Sequence, residues 1–208
     1  MKRLLFGALP VALVFALAMT DSAVAATSNV SIVNFAFNPA TDRIKLGDTV
    51  HWTNSTAATT HTTTSLGKPG SGTIGLGLWD SGNLAGGATF DHVFNIAGAF
   101  PYRCEIHNFM TGTISIPDKV GPKSGPAGTK FKITLSLQAS PPAGMVYDVQ
   151  KANPGGSFQD FRLGVTSKSV MFDSTGMAAG TYMFRSRLRR VSDGVASNFS
   201  PAAKVTVT

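Results

Sequence analysis

The stretch Tyr102-Arg-Cys-Glu-Ile-His-Asn-Phe-Met-Thr-Gly-Thr-Ile-Ser-Ile116 contains the only cysteine of this 208-residue chain. Cys104 is followed by His107 and Met110 at three-residue steps. A thiolate, an imidazole and a thioether on one short loop form a ligand set that suits copper, and two His, one Cys and a weak axial Met are typical of blue-copper centres. The loop provides three of these four ligands, so a second His must come from elsewhere in the chain.

The other three histidines of the chain are the candidates for this ligand. His51 and His92 lie in alternating segments that predict strands, where a His is usually exposed or hydrogen-bonded to a neighbour, and we expect His92 to point outward. His61 lies in the Thr-rich segment beyond the strand, and loops carried by a stiff β-structure are where functional residues concentrate. We therefore predict His61 as the second imidazole ligand, with His51 as the main alternative.

The N-terminal segment has the composition of a signal peptide. Lys2 and Arg3 precede an apolar run from Leu4 to Met19, and Ala23-Val24-Ala25 matches a signal peptidase site. An uncleaved anchor is the alternative, although the run is shorter than the roughly 20 residues of a membrane span. We predict a signal peptide at 1–25 and a mature chain that is exported to the periplasm, the exterior or the cell surface.

Export narrows the role of Cys104, because a single cysteine has no internal disulfide partner. The alternatives to a metal ligand are a buried inert thiol and a crosslink to another chain. Zinc also binds Cys and His, but the thioether of Met110 favours copper. We expect one copper ion that alternates between Cu(I) and Cu(II).

The rest of the chain predicts an all-β protein. Apolar and polar residues alternate with period 2 in many short segments separated by Gly, Pro and Asn turns, and no sustained 3.6-residue apolar repeat predicts a helix. The composition changes after Pro117, where a Pro/Gly-rich segment at 118–128 is either a linker or the start of a new domain. We predict one β-sandwich at 26–117 and a second at 129–208.

The first of these domains resembles the cupredoxins, the small blue copper proteins of the plastocyanin and amicyanin kind. The resemblance covers roughly Ser28 to Pro117. The motifs that carry it are Val30-x-Ile32-x-Asn34-Phe35-x-Phe37-x-Pro39, Gly47-Asp48-Thr49-Val50-x-Trp52-x-Asn54, His61, Asp80-Ser81-Gly82, Phe90, Phe94, Gly98 and Tyr102-x-Cys104-x2-His107-x2-Met110-x-Gly112-x-Ile114. The Cys-x2-His-x2-Met spacing is similar to the short loop of amicyanin.

This resemblance implies a Greek-key β-sandwich that holds a type 1 copper ion and carries single electrons. His61, Cys104 and His107 would be the strong ligands and Met110 the long axial one. In the family an Asn near the upstream His ties the two ligand loops together, a role that Asn54 could fill. The chain departs from the family at two positions, because Thr62 stands where Asn is frequent and Glu105 directly follows the cysteine.

The second domain resembles a fibronectin type III module through Gly180-Thr181-Tyr182-x-Phe184-Arg185-x-Arg187, Ser200-Pro201 and Val205-Thr206-Val207. Tyr182 stands where such a module has its tyrosine corner. Arg185, Arg187 and Arg189 alternate along one predicted strand. They predict either a docking patch for an acidic partner or surface polymer, or a solvated strand face that protects a sheet edge.

The charge is divided between the two halves. Residues 26–118 hold four basic and six acidic side chains, a net charge of −2, whereas residues 119–208 hold twelve basic and four acidic ones, a net charge of +8. Export argues against a nucleic-acid partner, and the redox partner protein stays unknown. Four histidines in all are too few for a multicopper catalytic site, so we predict an electron carrier rather than an enzyme, with a non-redox copper storage, delivery or resistance protein as the alternative.

Overall fold

The computed structural model describes residues 24–208, so nearly all of the signal peptide predicted at 1–25 lies outside the described residues. Within 24–208 the chain forms strands and no helix, which confirms the all-β prediction. In this range, no helix long and apolar enough to cross a membrane is found.

Residues 24–208 contain sixteen strands. Their bounds are β1 (Thr27–Val33), β2 (Ala36–Asn38), β3 (Thr41–Arg43), β4 (Thr49–Asn54), β5 (Thr64–Ser65), β6 (Thr89–Val93), β7 (Gly98–Arg103), β8 (Thr111–Ile116), β9 (Lys119–Gly121), β10 (Ser124–Gly125), β11 (Lys130–Thr134), β12 (Met145–Ala152), β13 (Phe158–Val165), β14 (Ser169–Asp173), β15 (Gly180–Arg190) and β16 (Ala203–Val207).

Strands β1 to β8 form two four-stranded sheets with the orders β2-β1-β4-β6 and β3-β8-β7-β5. The chain passes repeatedly from one sheet to the other, as in a Greek-key sandwich. Two neighbouring pairs, β1 with β4 and β3 with β8, are parallel, and the remaining pairs are antiparallel. We call this part of the chain the first sandwich.

An aromatic cluster fills the first sandwich. Every second residue of β4 is buried, so Val50, Trp52 and Asn54 face inward. The Trp52 ring lies 5.7 Å from the Tyr102 ring and 6.1 Å from the Trp79 ring, between centroids. Trp52 Nε1 donates a hydrogen bond of 3.2 Å to the Tyr102 hydroxyl, so the polar atoms of both rings are satisfied inside the core. This cluster fixes β7 two residues before Cys104.

Strands β9 to β16 form the second sandwich, with a five-stranded sheet β10-β16-β15-β12-β13 and a three-stranded sheet β14-β11-β9. Its core includes Phe131 and Phe172, on β11 and β14 of the smaller sheet, and Phe184, on β15 of the larger sheet. The Tyr182 hydroxyl donates to the Ala178 carbonyl at 2.9 Å, back across the turn that precedes β15. This bond has the form of a tyrosine corner.

The segment 118–128 belongs to the second sandwich. Strand β9 pairs with β11, and β10 pairs with β16. This Pro/Gly-rich segment thus contains two short strands that pair with strands of the second sandwich. The exact domain boundaries stay a prediction.

The three alternating arginines of β15 do not protect a sheet edge, because β15 lies between β12 and β16. Arg187 and Arg189 contact the buried Asp148 carboxylate at 3.2 and 2.7 Å. Arg185 bonds the Gln150 side chain and stacks on the ring of Phe158. The edge interpretation was wrong because the sequence does not give the strand order, and these guanidinium groups are engaged within the sheet.

The two sandwiches contact each other through backbone hydrogen bonds. The Ala97 N–H donates to Leu135 O at 2.8 Å, and the Leu137 N–H donates to Asn95 O at 2.9 Å. At the start of β7, Ala99 and Asn198 exchange two N–H···O bonds of 3.0 Å. Since β7 leads directly into Cys104, the second sandwich is joined to a strand that carries the candidate site.

A buried carboxyl lies where the chain enters the second sandwich, and it generates a prediction about stability. Burial raises the pKa of Asp118 from 3.8 to about 7, while Ser186 Oγ donates to Oδ1 at 2.5 Å. Between these pH values the folded protein holds a proton that the unfolded chain has released, so stability falls as the pH rises from about 4 to about 7.

We expect Asp118→Asn to remove this slope and to raise the free energy of unfolding at pH 8, by at most about 4 kcal/mol. Urea unfolding at several pH values from 4 to 8 measures both effects. Asp160→Asn, which removes an exposed carboxylate, is the control. If the pH dependence of the free energy of unfolding is the same in the variant, the Asp118 carboxyl of the folded protein is ionised over this whole pH range.

Candidate metal centre

Asn54 and a short backbone pairing hold His61 in place. The Asn54 Nδ2 amide donates to Thr59 O at 2.7 Å and to Leu84 O at 2.9 Å, and its Oδ1 accepts from the Thr56 N–H at 3.0 Å. His61 and Leu84 exchange N–H···O bonds of 3.0 and 2.8 Å. The His61 side chain is therefore fully buried on a segment with little freedom.

The cysteine loop spans the turn between the paired strands β7 and β8. The Cys104 N–H donates to Met110 O at 3.0 Å, and the Met110 N–H donates to His107 O at 2.8 Å. Gly112 lies opposite Tyr102, and a Cβ atom at this glycine would lie only 2.4 Å from the tyrosine ring. The β7–β8 pairing beside the loop thus depends on a residue without a side chain.

The structure brings His61, Cys104 and His107 together. Their ligand atoms all lie within 4.8 Å of one another. Cys104 Sγ is 3.8 Å from His61 Nδ1 and 3.7 Å from His107 Nδ1, and the two Nδ1 atoms are 3.2 Å apart. Met110 is buried at the end of the same loop. Neither His51 nor His92 belongs to this group.

The three atoms fit one metal ion. A circle through atoms with these separations has a radius of about 2.1 Å, within the roughly 2.0 to 2.3 Å of metal–nitrogen and metal–sulfur bonds. Burial, and secondarily the nearby His107, lower the pKa of His61, which favours the neutral imidazole that a metal requires. The thiolate and imidazole donors suit copper or zinc.

Thr62 joins the two ligand loops. Its backbone N–H donates to Cys104 Sγ at 3.3 Å, and its Oγ1 accepts the Glu105 N–H at 2.8 Å. The family resemblance implied that Asn54 would connect the loops. In the structure Asn54 fixes the His61 segment to Leu84, whereas Thr62 reaches the cysteine loop. The backbone N–H and the hydroxyl of Thr62 therefore make the connection between the loops.

The Glu105 carboxylate is partly exposed and forms an ion pair with Arg103. Arg103 Nε contacts Glu105 Oε1 at 2.8 Å, and Nη2 contacts Oε2 at 3.2 Å. The two side chains are 17% and 19% exposed. Arg103 Nη2 also donates to Ser71 O at 3.0 Å. Glu105 was recognised from the sequence and Arg103 was not, although its position two residues before Glu105 in the same segment was a usable signal.

The two other histidines have separate surroundings. His51 Nδ1 lies 2.6 Å from Asp91 Oδ1 across the β4–β6 pair, as expected for a satisfied strand residue. His92 was expected to point outward as a polar residue, and this was wrong. Its ring stacks 5.4 Å from the Trp79 ring and meets Phe94 edge-on at 4.8 Å. Partial burial against these rings lowers the pKa of His92.

Apolar side chains surround the outer edge of His107. The Phe35 ring meets the His107 ring edge-on at 4.9 Å. Phe35, Ile106 and Phe109 are 44%, 49% and 69% exposed. Asn34 and Phe35 both have positive φ angles, of 50° and 56°, in the tight β1–β2 turn that directs Phe35 toward the site. These three residues were not among the site residues predicted from the sequence.

The sequence matches no protein-family model and no curated protein. Among solved structures, a purple cupredoxin from Nitrosopumilus maritimus is 27% identical over 43% of this chain and 98% of its own, with a TM-score of 0.38. Two amicyanin variants in the Cu(I) form are 26% and 23% identical, over 46% and 49% of this chain and 86% and 90% of their own. Both have a TM-score of 0.37.

The hydrogen bonds of Asn54 predict a large effect on stability. Asn54→Ala would leave two carbonyl groups and one N–H without their side-chain partner, and the free energy of unfolding should fall by about 2 to 4 kcal/mol. Urea unfolding of the metal-free protein measures the change. Asn29→Ala, at an exposed position of β1, should change stability by less than about 0.5 kcal/mol. Equal effects of the two substitutions would contradict the role of Asn54.

Proposed function

We propose that this chain is an exported carrier of single electrons that binds one copper ion through His61, Cys104, His107 and Met110. The observation that carries the proposal is the convergence of two imidazole Nδ1 atoms and the only cysteine sulfur, at separations of 3.2 to 3.8 Å. Met110 would be the fourth ligand, since it is buried at the end of the loop that holds Cys104 and His107.

Copper bound here would supply one-electron redox chemistry, and the surrounding residues suit that task. Asn54 and the β7–β8 pairing hold the ligands on rigid elements, so little rearrangement is needed between oxidation states. The Thr62 N–H bond to Cys104 Sγ withdraws electron density from the sulfur and tunes the potential. The exposed rim of Phe35 and Phe109 beside His107 offers a partner protein a close, water-poor approach to one ligand.

The test is to load the purified protein with Cu(II). We expect an intense visible thiolate–copper absorption that disappears with a mild reductant and returns with an oxidant. Cys104→Ser should abolish the absorption, and His61→Ala should weaken copper binding and change the spectrum. His51→Ala and His92→Ala are the matched controls that should keep the colour.

A colourless or irreversible complex would overturn electron transfer and favour the alternative, a non-redox copper storage, delivery or resistance protein. Stronger binding of Zn²⁺ than of copper would overturn the copper assignment itself. Loss of the absorption in His51→Ala would contradict the choice of His61.

We further propose that residues 129–208 form a fibronectin type III-like module that attaches the carrier to an acidic surface polymer. The two-sheet order and the Tyr182 bond to Ala178 support the module. The polymer site is better sought at a cleft of about 360 Å³, lined by Lys119, Lys132 and Lys168, than at the arginines of β15. Among residues 24–208 these three lysines form no ion pair, so their charge is available to a ligand.

Binding to a polyuronate tests the cleft. Replacing all three lysines with Ala should weaken binding at least tenfold at low salt, and the native affinity should fall steeply as salt rises because the contacts are ionic. The control replaces Lys123, Lys130 and Lys204, which are exposed and carry the same total charge. Equal losses in both triple variants would mean that net charge alone attracts the polymer. Binding of an acidic polypeptide but not of the polyuronate would overturn the polymer as partner.

A further inference from the structure

A side chain of the second sandwich reaches a loop of the first sandwich. Arg190, the last residue of β15, donates from Nη2 to Gly75 O at 3.0 Å and lies 3.4 Å from Leu76 O. Its Nη1 is held by Asp193 Oδ2 at 2.8 Å. Gly75 and Leu76 belong to residues 66–78 of the first sandwich, which we call the glycine-rich loop. Arg190 thus holds a loop that lies 114 to 115 residues away in sequence.

The glycine-rich loop is closed by contact between its two limbs. A Cβ atom on Gly75 would lie 2.2 Å from Leu66 O, so the limbs approach as closely as backbones can. The Gly77 N–H donates to Leu66 O at 2.8 Å, and the Gly67 N–H donates to Thr73 Oγ1 at 3.1 Å. A displacement of the limb that Arg190 holds would therefore also move the opposite limb.

Ser71 lies in the turn between the two limbs, where its Oγ is 2.7 Å from Thr73 Oγ1, and it contacts the residue that balances Glu105. Ser71 O accepts a hydrogen bond of 3.0 Å from Arg103 Nη2, and the same guanidinium contacts both oxygens of Glu105. Glu105 directly follows Cys104, and its N–H is bonded to Thr62. A continuous series of contacts therefore joins Arg190 to the carboxylate nearest the thiolate in sequence.

We infer that Arg190 is a positioning residue for the metal centre. It holds the glycine-rich loop so that Ser71 fixes the Arg103 guanidinium against Glu105 and keeps the carboxylate charge balanced. The inference rests on the proposed copper site, because it concerns how the charge beside Cys104 acts on a bound ion. It gives the second sandwich a role in setting the properties of the site, in addition to any attachment.

The sign of the effect follows from electrostatics. Without Arg190 the loop is less constrained, Arg103 is less firmly oriented, and more of the negative charge of Glu105 acts on the site. A negative charge stabilises the more positively charged oxidation state. Arg190→Ala should therefore lower the reduction potential and shift the visible spectrum, whereas Arg190→Lys, which keeps the charge but not the fork of donors, should give an intermediate shift.

The experiment compares the potentials of the copper-loaded, full-length variants. Lys204→Ala is the matched control, because it removes one positive charge from the second sandwich at an exposed position away from the loop. The shift caused by Arg190→Ala should be absent when Glu105 is replaced by Gln, since the effect acts through that carboxylate. Equal shifts in Arg190→Ala and Lys204→Ala, or a shift that persists with Glu105→Gln, would overturn the inference.

A second measurement needs no copper. In the metal-free protein, Arg190→Ala should increase hydrogen exchange at the Gly67 and Gly77 amides, which close the glycine-rich loop, and leave the Trp52 amide in β4 unchanged. If the protein forms no coloured copper complex but this exchange pattern appears, the proposed function is wrong, whereas the coupling of Arg190 to the glycine-rich loop is supported. An unchanged exchange at both glycines would overturn the coupling, whether or not copper binds.

Discussion

The arrangement of the candidate site depends on the two hydrogen bonds that Thr62 makes across the ligand loops. Its N–H reaches the Cys104 sulfur and its hydroxyl accepts the Glu105 N–H. His61 precedes Thr62 directly, so one residue fixes the upstream imidazole and the thiolate relative to each other. Without these bonds, the nearest backbone link between the two segments would be the β5–β7 pairing of Thr64 with Arg103, and the separation of 3.8 Å between Sγ and Nδ1 would be less firmly held.

Each side of this connection is supported from a different part of the first sandwich. Asn54 at the end of β4 fixes the His61 segment, and the Trp52–Tyr102 hydrogen bond fixes β7 just before the cysteine. The core aromatic residues therefore act on the site through the backbone that they hold in place. The negative charge of Glu105, which directly follows Cys104, is balanced by the guanidinium group of Arg103.

The sequence was sufficient for the fold class and for the choice of His61 as the histidine beside Cys104. Period-2 alternation reports which residues are buried in a strand, and the position of His61 beyond a strand end separated it from His51. The same signals cannot report contacts between segments that are distant in sequence. Such contacts depend on strand order and register, which one sequence does not specify. Examples are the bond of Thr62 to Cys104, the pairing of Arg187 and Arg189 with Asp148, and the packing of His92 on Trp79.

The charge of the second sandwich illustrates why position matters more than composition. Residues 119–208 carry a net charge of +8, and the structure divides their cations into different environments. Arg187 and Arg189 balance a buried carboxylate, Arg190 holds backbone carbonyls of the first sandwich, and the cleft lysines have no ion pair among residues 24–208. Arginine is suited to the first two tasks because its planar fork donates several hydrogen bonds in fixed directions, whereas lysine presents a mobile, strongly hydrated charge. The arginines therefore stabilise contacts within the protein, whereas the cleft lysines are the cations that the proposed acidic ligand would contact.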